Sequence, residues 1–380
     1  MAERVFLHVG LPKTATTYLQ TIVWSNRDRL RADGLVVPGR ERRDHLWASR
    51  VVREDPHLDR HPAHHRSAWQ RLREELATAP GTGLVSHEFF AAASRAQARA
   101  AVEALAPAEV HVVVTAREPL GLFTASWQES LKNGGTRPMA DYGRAESRSP
   151  HAIWDWRTLD LALVLQRWSA AVPPERIHVL PLDPSAPREE IWGRFAGLLG
   201  LDPDGYDLSR SFPNSSMGVA EAETLRRVNL SLRDSDHPFE RAFDKGVYLR
   251  TFLADERLVP RGGEKFWPEP DQIEDCRRRG ERAAALVREG GYALHGRLEH
   301  LLVPEEVEPR RVPGSVTDAE VAQVAVDLVG RLLDDVRRLS TPERTERDED
   351  GPQVRDGAAK PRALARRLRS GLSRLPGRRG

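Results

Sequence analysis

The first twenty residues constrain the fold of this chain more than any later stretch. The apolar, β-prone residues 5–9 end at Gly10, and the chain turns through Pro12 into residues 13–17, which supply one lysine and three threonines. From Tyr18 onward, apolar residues recur at helical spacing. A strand, a tight loop and a helix N-terminus form an anion site, because first-turn N–H groups lack intrahelical partners and carry the positive end of the helix dipole. The stretch therefore predicts a phosphate-binding loop.

Two positions separate this loop from the Walker A pattern GxxxxGK[ST]. Pro12 precedes Lys13 where that pattern has glycine, and Leu7 stands where its first glycine falls. Residues 12–18 read PKTATTY, which resembles the 5′-phosphosulfate loop of the sulfotransferases that use PAPS (3′-phosphoadenosine 5′-phosphosulfate). That loop usually reads PK[ST]GTT followed by an apolar or aromatic residue. Ala15 replaces its glycine, and the added methyl group is tolerated if φ is negative there and strained if φ is positive.

The resemblance implies that PAPS is the co-substrate and that its sulfuryl group moves, without a metal ion, to a hydroxyl or amine. Lys13 is implied to stabilise the leaving oxygen, because a cation there favours the transition state over the ground state. The residues implied to hold the 5′-phosphate form one continuous set: Pro12, Lys13, Thr14, Ala15, Thr16 and Thr17.

A second anion site is expected where the most continuous apolar strand, predicted at 109–116, ends. The family uses an arginine just after a strand, and a serine about two helical turns later, for the 3′-phosphate. Arg117 begins the family's R-x-P pattern with Pro119, and its planar guanidinium can bind phosphate through two hydrogen bonds. Ser126 lies one residue beyond the usual spacing, and one residue rotates a helical side chain by about 100°. Ser126 is therefore expected near the 3′-phosphate, but the sequence leaves open whether its side chain points toward it.

The end of the strand predicted at 83–87 offers two candidates for the base that removes the acceptor's proton. His87 has the pKa range to accept a proton near neutral pH, and many members of the family place a histidine here. Glu88 can be the base itself or orient the imidazole. Both assignments stay open at this point.

Strand and helix signals alternate through the first half of the chain. Strands separated by helices predict a parallel sheet covered on both faces, here a three-layer α/β fold with P-loop-type topology and a helical C-terminal subdomain. Residues 40–66 are expected to be irregular and, with residues 133–157, to face the acceptor. Asn214 or Ser215 is predicted to cap the next helix. The predicted parts are an α/β PAPS-binding core (1–214), a helical part packed on it (215–340) and a basic tail (341–380).

Composition narrows the class of protein. A chain of 380 residues that is 39% hydrophobic and 30% charged suits a globular enzyme, and a net charge of +2 is too small to suggest nucleic-acid binding. The single cysteine, Cys276, excludes an internal disulfide and a cysteine-based zinc cluster. With no apolar run that could span a bilayer and no room for a signal peptide before the first strand, a cytoplasmic location is expected. The tail is predicted to be disordered, although leucines at helical spacing among its arginines leave a weak contact with an anionic membrane surface open.

Two other functions stay open. A P-loop kinase or other NTP-dependent enzyme would share the fold, but the Walker A pattern and a metal-binding aspartate are missing. A non-catalytic nucleotide-binding protein is the third reading, motivated by Ala15 and the shifted Ser126. For a sulfotransferase, the acceptor stays unidentified, with small molecules, carbohydrates and lipids all compatible.

Overall fold

The computed structural model describes residues 1–145, 149, 151–209, 216–236, 239 and 241–340. Within these residues, six strands form one sheet: β1 (Arg4–His8), β2 (Leu35–Val36), β3 (Thr82–Ser86), β4 (Glu109–Ala116), β5 (Ile177–Pro181) and β6 (Ala293–Leu294). Their order is β2-β3-β1-β4-β5-β6, and every neighbouring pair is parallel.

The α-helices of the described residues are α1 (Thr16–Ser25), α2 (Arg27–Ala32), α3 (Arg42–Val52), α4 (Ala63–Arg66), α5 (Ala68–Thr78), α6 (Arg95–Glu103), α7 (Pro119–Lys132), α8 (Trp156–Leu159), α9 (Leu161–Trp168), α10 (Glu190–Leu198), α11 (Val219–Arg233), α12 (Ala242–Asp244), α13 (Pro270–Glu289) and α14 (Asp318–Ser340). A π-helix, Lys245–Leu258, follows α12 directly. No helix among these residues is long and apolar enough to cross a membrane.

Helices cover both faces of the sheet, which confirms the predicted three-layer α/β class. On one face, Phe6 of β1 packs in a core with residues of α1 and α10. On the other face, Gly83 lies so close to α5 that a Cβ there would come within 2.4 Å of Leu76 Cδ2. Because both faces are covered, most strand residues are buried, and β5 is buried at all of its positions.

The position of β1 between β3 and β4 determines where the functional residues meet. His8, the last residue of β1, pairs with Ser86 of β3 and Val113 of β4. In a parallel sheet the carboxyl ends of the strands lie along one edge, where ligands of open α/β sheets bind. The loop after β1 therefore lies between the residues that follow β3, which include His87, and Arg117, which follows β4.

The prediction of an irregular segment at 40–66 is wrong over much of its length. It contains α3 and α4, and the buried face of α3 mixes apolar Trp47 and Val52 with polar Asp44 and His45. Because half of the buried positions are polar, the apolar residues alone do not trace the full helical face in the sequence. The sixth strand, β6, was also not predicted, because residues 290–296 contain three glycines and no β-branched residue.

The chain divides into two compact units, Met1–Val316 and Thr317–Gly380. The first contains the sheet and the helices through α13, with α11 and α13 packed against α7. The described part of the second is α14. The boundary predicted at residue 214 stays a prediction, and the predicted tail at 341–380 lies outside the described residues, as do Asn214 and Ser215. The prediction that one of these two residues caps the next helix is wrong, because α11 begins at Val219 and its N-cap is Gly218.

Candidate active site

The loop between β1 and α1 presents a row of backbone donors. Gly10, Lys13 and Ala15 have positive φ values of 36°, 66° and 61°, and such turns gather successive N–H groups into an anion-binding concavity. No described residue accepts a hydrogen bond from the N–H groups of residues 13–18, and no side chain caps α1. Pro12 is buried and has no N–H group, so it only shapes the loop. The donors and the positive end of the α1 dipole remain available for an anion.

A directional chain of side-chain hydrogen bonds anchors this loop. The Thr14 hydroxyl donates to Leu11 O at 2.6 Å, so Thr115 must be the donor in the 2.7 Å contact between the two threonine hydroxyls. Thr115 Oγ1 then accepts from His8 Nε2 at 3.2 Å, and His8 Nδ1 accepts from the Ser86 hydroxyl at 2.8 Å. The chain joins β3, β1 and β4 to the loop.

Two buried histidines stay neutral beside the loop. Burial lowers the pKa of His8 to about 4, and burial likewise lowers the pKa of His45 to about 4. His45 Nε2 donates to Pro38 O at 2.8 Å, so its Nδ1 accepts from the Ser86 N–H at 3.1 Å. Each ring is therefore held as a single neutral tautomer by fixed partners, and neither is available as a base.

The three threonines of the loop differ in what they offer a phosphate. Thr14 is fully buried and its hydroxyl is used inside the anchoring chain, so this hydroxyl is not free to contact a ligand. Thr16 is also buried, and a Cβ on Gly10 would come within 2.6 Å of Thr16 Cγ2, which explains glycine at position 10. Thr17 is exposed at the first turn of α1.

Lys13 forms an ion pair with a residue that the sequence reasoning missed. Lys13 Nζ lies 2.9 Å from Glu129 Oε2 of α7, and Arg250 of the π-helix binds the other oxygen of the same carboxylate. Burial raises the pKa of Glu129, but the charges of Lys13 and Arg250 outweigh it and lower the pKa to about 2. The Glu129 carboxylate thus holds two cations beside the loop.

Arg117 and Ser126, both predicted for the 3′-phosphate, have different surroundings. Arg117 follows β4 at the sheet edge, its side chain is about one-third exposed, and its Nη2 lies 3.5 Å from Glu118 Oε1. Ser126 is fully buried and its hydroxyl pairs with the Tyr142 hydroxyl at 2.7 Å, which itself donates to Trp154 O at 2.7 Å. Arg117 can reach an anion, whereas Ser126 faces the protein interior.

The two candidate bases after β3 differ in the lone pairs they can offer. The Phe89 N–H donates to His87 Nδ1 at 3.1 Å, so neutral His87 carries its proton on Nε2. Burial lowers the pKa of His87, and the ring is neutral at pH 7. Gln20 Nε2 donates to Glu88 Oε2 at 3.0 Å. Burial raises the pKa of Glu88, but His87, a backbone N–H and Gln20 outweigh it, so the carboxyl is ionised at neutral pH.

Of the site residues that the sequence analysis did not identify, only Glu129 carries a signal in the sequence. Glu129 falls on the same helical face as Leu122 and Ser126, at i+7 and i+3, so a carboxylate in a buried stripe was a readable signal. His45 and Arg250 carry no such signal, because their partners lie on other elements far along the chain.

No known family model matches the chain, and no curated protein sequence matches it either. Among solved structures, it is similar to the crystal structure of a sulfotransferase from Alicyclobacillus acidocaldarius, at 16% sequence identity and a TM-score of 0.38. The match covers 61% of this chain and 94% of that chain. Similarity at this level supports neither a fold family nor an activity, so the α/β class rests on the strand order of the chain itself.

The strained conformation of Ala15 predicts that Ala15→Gly does not destabilise the protein. A non-glycine residue in the left-handed region costs roughly 1–2 kcal/mol, which exceeds the extra flexibility of glycine, so we expect the free energy of unfolding to rise by up to about 1 kcal/mol. Urea denaturation measures the change. The matched control is Ala100→Gly in the exposed middle of α6, which should lose about 1 kcal/mol. A loss at Ala15 equal to that at Ala100 would contradict the argument.

The Glu129 carboxylate predicts a second measurable effect. Its pKa of about 2 is below the ordinary value of 4.5, so its contribution to stability is present above pH 4.5 and is lost as the pH falls toward 2. Glu129→Gln should therefore lower the free energy of unfolding at pH 7 by roughly 2–4 kcal/mol, and the gap to wild type should narrow below pH 4.5. Denaturation curves between pH 3 and pH 7 test this, with the exposed Glu103→Gln as control. A gap independent of pH would refute the ion-pair argument.

Proposed function

We propose that the protein is a sulfotransferase that moves a sulfuryl group from PAPS to a hydroxyl or amine of an acceptor. The observation that carries the proposal is the loop after β1, whose N–H groups at residues 13–18 have no acceptor among the described residues. The same loop has the PKTATT sequence and the lysine of a 5′-phosphosulfate loop. The proposal that this loop binds the anionic PAPS molecule thus rests on both its backbone geometry and its residue types.

The proposed donor site uses two neighbouring strand ends. The N–H groups of Lys13, Thr14, Ala15, Thr16 and Thr17 would hold the 5′-phosphate, with the Thr17 hydroxyl as a further donor. Arg117, after β4, would bind the 3′-phosphate through its planar guanidinium. Ser126 is left out of this site, because its hydroxyl is buried against Tyr142.

Lys13 and Glu88 would carry the chemistry. PAPS supplies a sulfuryl group whose leaving group is a phosphate. The acceptor oxygen or nitrogen forms a bond to sulfur while the bond from sulfur to the 5′-phosphate oxygen breaks, which releases adenosine 3′,5′-bisphosphate. Lys13, whose flexible stem lets its ammonium group leave Glu129, would neutralise the charge on the leaving oxygen.

Glu88 is the better candidate for the base. Its carboxylate is ionised at neutral pH and keeps lone pairs beyond the one used by Gln20, so it can take the acceptor's proton. His87 presents Nε2–H, because its Nδ1 is occupied by the Phe89 N–H. We therefore assign His87 as a hydrogen-bond donor to the reacting groups.

The donor assignment predicts that adenosine 3′,5′-bisphosphate, without metal, raises the melting temperature of the full chain by several degrees at saturation. Lys13→Ala should weaken its binding roughly tenfold or more, since a hydrogen bond to a charged group is lost, whereas the exposed Lys265→Ala should not. Thermal shift and calorimetric titration measure both effects. No stabilisation of the wild type, or stronger stabilisation by ATP with Mg²⁺, would refute the proposal and favour an NTP-dependent enzyme.

The base assignment predicts different losses at the two candidate residues. Glu88→Gln removes the proton acceptor and should lower kcat roughly 100-fold or more. His87→Gln keeps an N–H donor near the position of Nε2, so its loss should stay within about tenfold. Turnover is measured with labelled PAPS and any hydroxyl acceptor that a screen identifies. If His87→Gln is as damaging as Glu88→Gln while binding adenosine 3′,5′-bisphosphate normally, the assignment is reversed.

A further inference from the structure

Arg53, at the end of α3, is a buried cation without a hydrogen-bond partner for its charge. The side chain is only 2% exposed, and its Nε and Nη1 atoms are buried with no partner among the described residues. Burial lowers the pKa of the guanidinium to about 10, which still leaves it charged at neutral pH. A buried charge is costly unless an opposite charge and hydrogen bonds compensate it, so an unpaired arginine needs an explanation.

The acidic group that acts on Arg53 is already engaged elsewhere. Asp55 accepts from Arg50 Nε at 2.7 Å and from the His57 N–H at 3.0 Å. The remaining charges that act on Arg53 are those of Arg50 and Arg157, which are both positive. The surroundings of Arg53 are therefore electropositive and are not neutralised from within the described part of the chain.

Arg53 lies beside Phe89, which in turn packs against His87. Its guanidinium carbon is 5.7 Å from the centre of the Phe89 ring. The same ring lies 4.7 Å from the His87 ring and 6.0 Å from the Trp154 ring, measured between ring centres. Positive charge on Arg53 and Arg42 also acts on His87. The Phe89 ring thus lies beside both Arg53 and His87, the residue that precedes the proposed base Glu88.

We propose that Arg53 is the specificity-determining residue for the acceptor, which carries an anionic group, such as a carboxylate, on the same molecule as its reacting hydroxyl. The proposal rests on the sulfotransferase function above and adds the class of acceptor. The anion would supply the hydrogen bonds and opposite charge that Arg53 lacks. Phe89 and Trp154 would pack against the apolar part of the molecule that joins the two groups.

The test uses two phenols of matched shape, 4-hydroxyphenylacetate, which is anionic, and 4-hydroxyphenylacetamide, which is neutral. The full chain is saturated with adenosine 3′,5′-bisphosphate, and both affinities are measured by calorimetric titration. We expect the wild type to bind the carboxylate roughly tenfold more tightly than the amide, because one hydrogen bond to a charged group distinguishes them. Arg53→Met should remove this preference, and Arg53→Lys should keep part of it.

Arg43→Met is the matched control, because Arg43 lies on the same helix but is exposed; it should keep the full preference. Equal affinities in the wild type, binding of neither probe, or a preference that survives in Arg53→Met would overturn the proposal. Stabilisation by adenosine 3′,5′-bisphosphate is recorded for every variant. Its absence from the wild type counts against the sulfotransferase function, whereas its presence without a carboxylate preference counts against Arg53 alone.

Discussion

The anchoring chain from Ser86 through His8, Thr115 and Thr14 to Leu11 is the interaction on which the site depends. Each hydroxyl and ring N–H in it donates one hydrogen bond to one fixed acceptor. These hydrogen bonds can all form only when β3, β1 and β4 pair in the observed register. It also fixes the curvature of the loop, because its last donor ends on a loop carbonyl. The loop N–H groups that have no acceptor among the described residues are thus positioned by a buried polar network rather than by apolar packing alone.

Some of the cations around this edge of the sheet are paired with a carboxylate and one is not. Lys13 and Arg250 share the buried carboxylate of Glu129, while Arg53 has no carboxylate in contact among the described residues. A paired cation can exchange its carboxylate for an anionic ligand at a small cost in free energy, because its charge stays neutralised throughout. The charge of an unpaired cation is neutralised only when an anionic ligand binds. Binding an anion should therefore stabilise the proposed acceptor site, at Arg53, more than the proposed donor site, at Lys13.

Features readable from the sequence are those with local or periodic causes. The apolar strands, the helix after Lys13 and the arginine at the end of β4 are found where expected, because burial on both faces and strand-end placement leave their mark in consecutive residues. Ser126 and Glu129 are three residues apart on α7, and the sequence does not show which of them faces the loop. Glu129 pairs with Lys13, more than a hundred residues away in the chain, whereas Ser126 pairs with Tyr142 in the interior. Likewise α3 was missed because its buried face includes polar side chains, such as Asp44, which pairs with Arg71 of α5.

The two neutral histidines set an acid limit for the whole fold. An unfolded chain takes up a proton on each imidazole near pH 6.5, whereas the folded rings of His8 and His45 resist protonation until about pH 4. Proton uptake therefore favours the unfolded state increasingly as the pH falls from 6.5 to 4, by up to about 3 kcal/mol for each ring. The tautomers that position the loop thus make the protein less stable in acid, independently of any reaction it performs.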